Sequence, residues 1–494
     1  MFNRASGFLV HPSSFPSSFG IGDFGEGAYE FIDFLYKSKQ KLWQILPLGP
    51  LSESNSPYQC LSTFAGNELF ISIEDLIERG FLTESDVKKY REESSETINF
   101  EKVKVNKGKL FKLAFENFNK TSNNEEIERF KEFCLENKEW LEDYALFIAL
   151  REEYNYTIWT SWPDKIKSRN PEELKKISKK LKENIMLNKF IQYLFYTQWN
   201  KLRNYANSKN IKIIGDIPIF MPLDCADVWV NPELYWLNEE GIPTFVAGGP
   251  PDKFSATGQR WGNCLYNWEN HKKEKYSWWI KRISSTLKLV DIIRIDHFRG
   301  FDEYWAIPYD EADPSKGSWK KGPGKELFNE VIETLGNIPI IVEDIGIITD
   351  SVTELRDYYN FPGIKILQCA FDGNINNVNL PCNFNTCNCV AYTGTHDTNT
   401  LLGWYNELNE EEKEQSLAYL NYPQDTCFGM ICSVFSSVAV YSIIQIQDIL
   451  NLGSEHRMNT PGTEHGNWKF RYLPGSLKDE YSIKLANITK LYNR

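Results

Sequence analysis

The chain has 494 residues, 41% hydrophobic and 25% charged, values close to globular averages that exclude a disordered, collagen-like or disulfide-scaffold protein. Its formal charge of −12 argues against nucleic acid or an anionic membrane as partner, since both reward a basic surface, and leaves a neutral ligand open. Aromatic residues are abundant at 14%, and flat apolar rings suit either a core or the faces of sugar rings.

From Met1 to Ser14 the only apolar run is Phe8 to Val10, too short for the hydrophobic region of a signal peptide. Ten cysteines lie scattered without a paired framework, which fits free thiols in a reducing cytoplasm. Gly20, Gly22 and Gly25 spell G-x-G-x-x-G, but the preceding His11 to Phe19 holds two prolines and four serines rather than a strand. The motif is therefore read as a turn leading into a helix and not as a dinucleotide site.

Short apolar runs rich in β-branched residues then recur: Gly7 to Val10, Lys41 to Leu48, Ile211 to Ile219, Val290 to Asp296, Ile340 to Glu343, Ile364 to Leu367, Val390 to Thr393 and Tyr441 to Ile446. Eight such strands alternating with helices predict an α/β fold, a (β/α)8 TIM barrel; a doubly wound sheet reads similarly from pattern alone. Two spacings exceed a simple crossover and predict insertions. Residues 81–210 contain one glycine and two prolines amid dense Glu and Lys, a helical insertion in which Trp140, Tyr144 and Phe147, and Ile191, Leu194, Phe195 and Leu202, recur at helical spacing. Residues 221–289 are rich in Gly, Pro and Trp, a loop-rich insertion expected over the active-site mouth. Thr426 to Gln447 carries no formal charge over 22 residues; its four serines and the β-branched crowding of its second half make it a buried helix followed by a buried strand rather than a membrane span.

Chemistry concentrates where apolar runs end in acids: Asp296 after Ile292 to Ile295, Glu343 after Ile340 to Val342, Asp397 in Tyr392 to Asp397, and Asp216 in Ile213 to Asp216. In a barrel these positions fall at the C-terminal ends of strands, where active sites are built. Taken singly, each could be a carboxylate satisfied by loop amides. Together they suit cleavage of a glycosidic bond, which needs an acid for the leaving oxygen and a carboxylate for the cationic carbon. Arg294 lies two residues before Asp296, so in a strand both point the same way, and the fixed cation is expected to keep Asp296 ionised as nucleophile. Glu343 has no basic residue nearby in sequence, and burial is expected to keep it protonated. Cys382, Cys387 and Cys389 match no common zinc spacing, so no metal is expected.

The motifs around these carboxylates carry a resemblance. R-I-D-H-F-R-G from Arg294, V-E-D-I-G around Glu343 and Y-T-G-T-H-D ending at Asp397 resemble the 4-α-glucanotransferases, or amylomaltases, of glycoside hydrolase family 77. Further matching pieces are S-G-F-L-V-H-P-S-S from Ser6, W-Q-I-L-P-L-G-P from Trp43, S-P-Y-Q-C from Ser56, G-D-I-P-I-F from Gly215, P-P-D-K-F-S-A-T-G-Q-R-W-G-N from Pro250 and R-M-N-T-P-G-T-E-H-G-N-W from Arg457.

The resemblance implies a barrel with insertions, no separate C-terminal β-domain and no metal or organic cofactor. It implies Asp296 as nucleophile, Glu343 as acid/base and Asp397 as the stabiliser that holds sugar hydroxyls. Tyr58, Asp216, Arg294 and His396 would shape the donor-sugar subsite, with His297 and Asn467 among the glucan-binding residues. Phe254, Gln259 and Trp261 would lie over the glucan and exclude water, and Asp372 would face the acceptor. The substrates implied are maltooligosaccharides or other α-1,4-glucans, with glucose as acceptor or product. Where the family has L-G-P-T-G-Y-G-D-S-P-Y, this chain has Glu53 in place of a sugar-stacking tyrosine. Two alternatives stand beside transfer: an α-glucan hydrolase of the α-amylase type using the same carboxylates, and a non-catalytic glucan-binding protein.

Overall fold

The structure, a computed structural model, describes residues 2–251 and 255–494. Its strands are β1 (Ala5–Leu9), β2 (Leu42–Gln44), β3 (Lys212–Ile217), β4 (Phe245–Gly249), β5 (Gln259–Cys264), β6 (Ile292–Ile295), β7 (Glu303–Pro308), β8 (Ser318–Lys321), β9 (Ile340–Val342), β10 (Gly363–Ile366), β11 (Cys389–Tyr392) and β12 (Tyr441–Gln445). Eight of them form one parallel sheet in the order β10-β11-β12-β1-β2-β3-β6-β9. The Val342 amide donates to the Pro362 carbonyl at 3.0 Å, joining β9 to the start of β10 and closing the ring. The eight apolar runs of the sequence are these eight strands, so the barrel reading holds and the doubly wound alternative falls.

The strands read as unbroken apolar runs because both their faces are covered. Ile213, Ile214, Ile292, Ile293, Ile340, Ile341, Ile443 and Ile444 are all buried. Gly7 is required where β1 meets β2, since a Cβ there would sit 1.9 Å from the Leu42 carbonyl oxygen. Inside the barrel, polar side chains satisfy one another: the Tyr392 hydroxyl on β11 donates to Gln44 Oε1 on β2 at 2.7 Å.

Between β2 and β3 the chain is helical, with Phe100–Thr121, Asn124–Glu136, Lys138–Glu153, Pro171–Lys180 and Lys182–Ser208 as its main helices. Asn99, Asn123 and Asn170 cap three of these, each side chain accepting an amide of the first turn, a contact worth about 1 kcal/mol. Lys182–Ser208 serves two masters. Phe190 packs among Phe81, Phe118 and Phe130 of the inserted helices, while Trp199 lies against Trp43 of β2 and Phe24 at the barrel wall. Residues 221–289 hold more regular structure than their composition suggests. β4 and β5 pair antiparallel and continue through β7 to β8 as a four-stranded sheet, and Ser277–Leu289 is the helix that leads into β6. Thr426–Ser436 is a helix followed by β12, as expected, and no helix among the described residues is long and apolar enough to cross a membrane. After β12 no further strand follows among the described residues. The glycine motif is a turn: Gly22 is pressed against the Pro12 carbonyl, and Gly25 caps the helix Glu26–Lys37.

Candidate active site

Parallel closure brings the C-terminal ends of the barrel strands to one face, and the acids found in sequence meet there. Asp216 lies near the end of β3, Asp296 directly follows β6, Glu343 directly follows β9, and His396-Asp397 follow β11. Arg294 on β6 is 1% exposed and ties three of the acids together. Its guanidinium donates to Asp216 Oδ2 at 2.5 Å, to Glu343 Oε1 at 2.7 Å and to Asp296 Oδ1 at 3.2 Å. Arg294 and Asp296 do share one side of their strand, as their spacing requires.

The electrostatics reverse one expectation. Glu343 does not stand alone: the shorter Arg294 bond goes to it rather than to Asp296, and the His297 amide donates to its Oε2 at 2.8 Å. Burial opposes its ionisation, but Arg294 and that amide outweigh burial and hold its carboxyl below the usual range. Asp296 is pushed well above its usual range by burial and then by the neighbouring charge of Glu343. In the substrate-free site Asp296 is therefore the more readily protonated of the two. The sequence missed this because Glu343 receives its cation from a strand 49 residues away.

A second group flanks the pair. The Tyr58 hydroxyl donates to Asp216 Oδ2 at 2.8 Å, and its ring stacks on His396 at 5.0 Å and 18°. His396 Nε2 lies 3.3 Å from Asp397 Oδ2, and Asn459 Nδ2 donates to Asp397 Oδ1 at 2.6 Å. Burial opposes ionisation of Asp397, but His396 and Asn459 bring its pKa down to about 2. His297 adopts the left-handed backbone (φ 49°) that aims its amide at Glu343, and its ring meets Trp261 edge-on at 4.8 Å. Burial lowers the His297 pKa to about 4, so the ring is neutral near pH 7. Gln259 Oε1 accepts from the Trp261 indole at 3.0 Å.

Not every predicted residue joins this cluster. Asn467 spends its amide on its own loop, accepting from the Thr460 amide and donating to Thr463. Asp372 sits on an exposed turn, where it accepts the Asn374 amide. Phe254 lies outside the described residues. Glu53 reaches Arg151 at 2.6 Å, pinning its loop to the helix Lys138–Glu153. Sequence reasoning passed over Asn459 and Arg457, which holds the Asp397 carbonyl at 2.6 Å, and over Trp468, whose ring lies 5.8 Å from Tyr58. All three stood in the quoted R-M-N-T-P-G-T-E-H-G-N-W motif, which was the available signal. Among the described residues no group of three or more His, Cys, Asp or Glu side chains could hold a metal; Cys382 and Cys387 are exposed whereas Cys389 is buried.

Comparison with known proteins points to one family. The model of the 4-alpha-glucanotransferase family, glycoside hydrolase 77, matches residues 10–476. The chain is 46% identical to a 4-alpha-glucanotransferase of Clostridium butyricum, covering 98% of this chain and 100% of that one. It is 45% identical to a 4-alpha-glucanotransferase of Synechocystis sp., covering 99% and 98%. Its fold superposes on the amylomaltase from Streptococcus agalactiae in complex with acarbose with a TM-score of 0.96, at 38% identity and 99% coverage of both chains. With a family match spanning nearly its whole length and full-length relatives at this identity, the chain belongs to the 4-alpha-glucanotransferases of glycoside hydrolase family 77.

Proposed function

We propose that this 4-α-glucanotransferase works by double displacement, with Asp296 as nucleophile and Glu343 as acid/base. The observation that carries the reading is Arg294, whose single guanidinium bonds both Asp296 and Glu343 at the ends of the paired strands β6 and β9, with Asp216 as a third acid. On donor binding, the positive charge growing at the anomeric carbon favours ionised Asp296, and the shared proton crosses to Glu343. Glu343 then protonates the glycosidic oxygen, the carbon–oxygen bond breaks, and Asp296 Oδ forms an ester to the anomeric carbon. In the second half, Glu343 takes the proton of an acceptor 4-hydroxyl, whose oxygen displaces Asp296 and restores the carboxylate. Glucose or a short maltodextrin serves as acceptor.

Asp397, held ionised, would bind donor-sugar hydroxyls. Asp216 supports the same reading, because it holds the Tyr58 hydroxyl beside the pair and shares Arg294 with both acids. Tyr58, His396 and Trp468 offer ring faces beside it, and Trp261, Gln259 and His297 form the wall that favours a sugar over water. The ten unpaired cysteines favour a reducing cytoplasm.

Product analysis tests the reading. Maltotriose is expected to give glucose and a ladder of longer maltodextrins with almost constant reducing ends, because transfer conserves glycosidic bonds. A steady rise in reducing ends without products longer than maltotriose would move the protein to the α-amylase-type hydrolases.

A further inference from the structure

Beneath the donor-sugar residues lies a narrow pocket between the ends of β1, β2 and β12 and the loop after β11. It is lined by His11, Ser14, Leu46, His396, Gln445 and Met458, and has about 10 Å³ for the centre of a water-sized sphere, room for about one water molecule. Three of its buried polar atoms find no partner among the described residues: His11 Nδ1, Ser14 Oγ and His396 Nδ1. Their residues are 5%, 0% and 3% exposed. The polar end of Gln445 is engaged elsewhere, donating to the Asn399 carbonyl at 3.1 Å. Buried polar atoms left unpaired are costly, and three of them around one small pocket define a site for a molecule that can both donate and accept.

We propose that a single buried water fills this pocket, bonded to His11, Ser14 and His396, and fixes His396 in the tautomer that donates Nε2–H to Asp397. His11 and Ser14 are then positioning residues of the donor-sugar site; the inference rests on the assignment of Asp397 to that site. The chemistry follows from the other end of the ring. Asp397 Oδ2, an acceptor only, lies 3.3 Å from His396 Nε2, which favours the form that carries the hydrogen on Nε2. With the hydrogen on Nε2 alone, Nδ1 is an acceptor and needs a donor. No group among the described residues supplies one, whereas a water donates to Nδ1 and has capacity left for Ser14 and His11. Burial, with His396 beside it, lowers the His11 pKa to about 3, so His11 remains neutral near pH 7. The motif S-G-F-L-V-H-P-S-S thereby gains a role at the site, although it holds none of the acids.

Two measurements on the wild-type protein decide the matter without reference to turnover. A crystal structure resolving solvent is expected to place one water within about 3.2 Å of all three atoms. Nitrogen-15 spectra of the six histidines, with His396 assigned by its loss in His396→Gln, are expected to report the Nε2–H form. In His11→Phe and Ser14→Ala the His396 signal should shift toward a tautomer mixture. kcat should fall about tenfold, and His11→Asn should recover most of it. A dry pocket, a glucan hydroxyl filling it in place of water, or an unchanged His396 tautomer in both variants would overturn the proposal. Were His11→Phe not to fold, Ser14→Ala and the wild-type density would still decide. Failure of the catalytic assignment would leave the water and the tautomer in place, so the two outcomes are distinguishable.

Discussion

Arg294 offers one guanidinium to three acids from a position almost sealed from solvent, so its removal strands buried negative charge. Arg294→Met should cost about 3–5 kcal/mol in urea denaturation near neutral pH, the penalty for breaking a buried pair, and the loss should shrink as acid protonates the stranded carboxyls. A variant as stable as wild type would show the carboxyls to be neutral already. Tyr58→Phe is a milder change: it keeps the ring over His396 but removes the bond to Asp216, and should weaken donor binding more than it slows turnover, measured as KM against kcat. The rate should fall on the alkaline side as the Asp296–Glu343 pair loses its one proton and on the acid side as it gains a second. The acids themselves were legible in sequence because a carboxylate ending an apolar run is hard to explain as packing. The direction of their polarity was not, since it depends on which acid Arg294 approaches more closely.

At the level of elements, the loop after β11 is held from below. Asp448, just past β12, accepts the Thr393 hydroxyl at 2.5 Å and the Leu401 amide at 2.9 Å, fixing both ends of the segment that carries His396 and Asp397. Burial raises its pKa to about 6, against about 3.9 for an unfolded aspartate. Between these values the folded chain binds more protons than the unfolded one, so this group lowers stability as pH rises from about 4 to about 6, and the cost is constant above. Asp448→Asn should therefore melt no lower than wild type at pH 7 and show a smaller decline between pH 4.5 and 7; an unchanged decline would contradict the linkage. Asp448→Leu, which leaves the Leu401 amide unsatisfied, should lose about 1–3 kcal/mol. The barrel strands were legible because burial on two faces makes them continuous apolar runs. β5 (Q-R-W-G-N-C) and β8 (S-W-K-K) were not, because they are polar and partly or wholly exposed and carry no such signal.

Over the whole molecule, most of the aromatic excess is spent on cores. Phe81, Phe118, Phe130 and Phe190 bind the inserted helices, and Tyr266, Trp268, Trp278 and Trp279 bind the segment before β6. Only a few rings, Tyr58, Trp261 and Trp468 among them, stand at the site. Composition alone could not divide the two uses. The proposed chemistry runs on carboxyls and one arginine, so exhaustive chelation in a reducing buffer should leave activity and Tm unchanged; one equivalent of zinc, with stability lost on its removal, would contradict this. The central claim is the division of labour between Asp296 and Glu343, and the most direct measurement is the mass of the protein after exposure to α-maltotriosyl fluoride, a donor whose leaving group needs little protonation. Glu343→Gln, slowed about 10²- to 10⁴-fold on natural glucans, should still attack this donor, and should accumulate one maltotriosyl unit on the peptide containing Asp296, since the amide cannot deprotonate an acceptor. Asp296→Asn should accumulate none. An adduct on another residue, an adduct in Asp296→Asn, or none in Glu343→Gln would contradict the assignment.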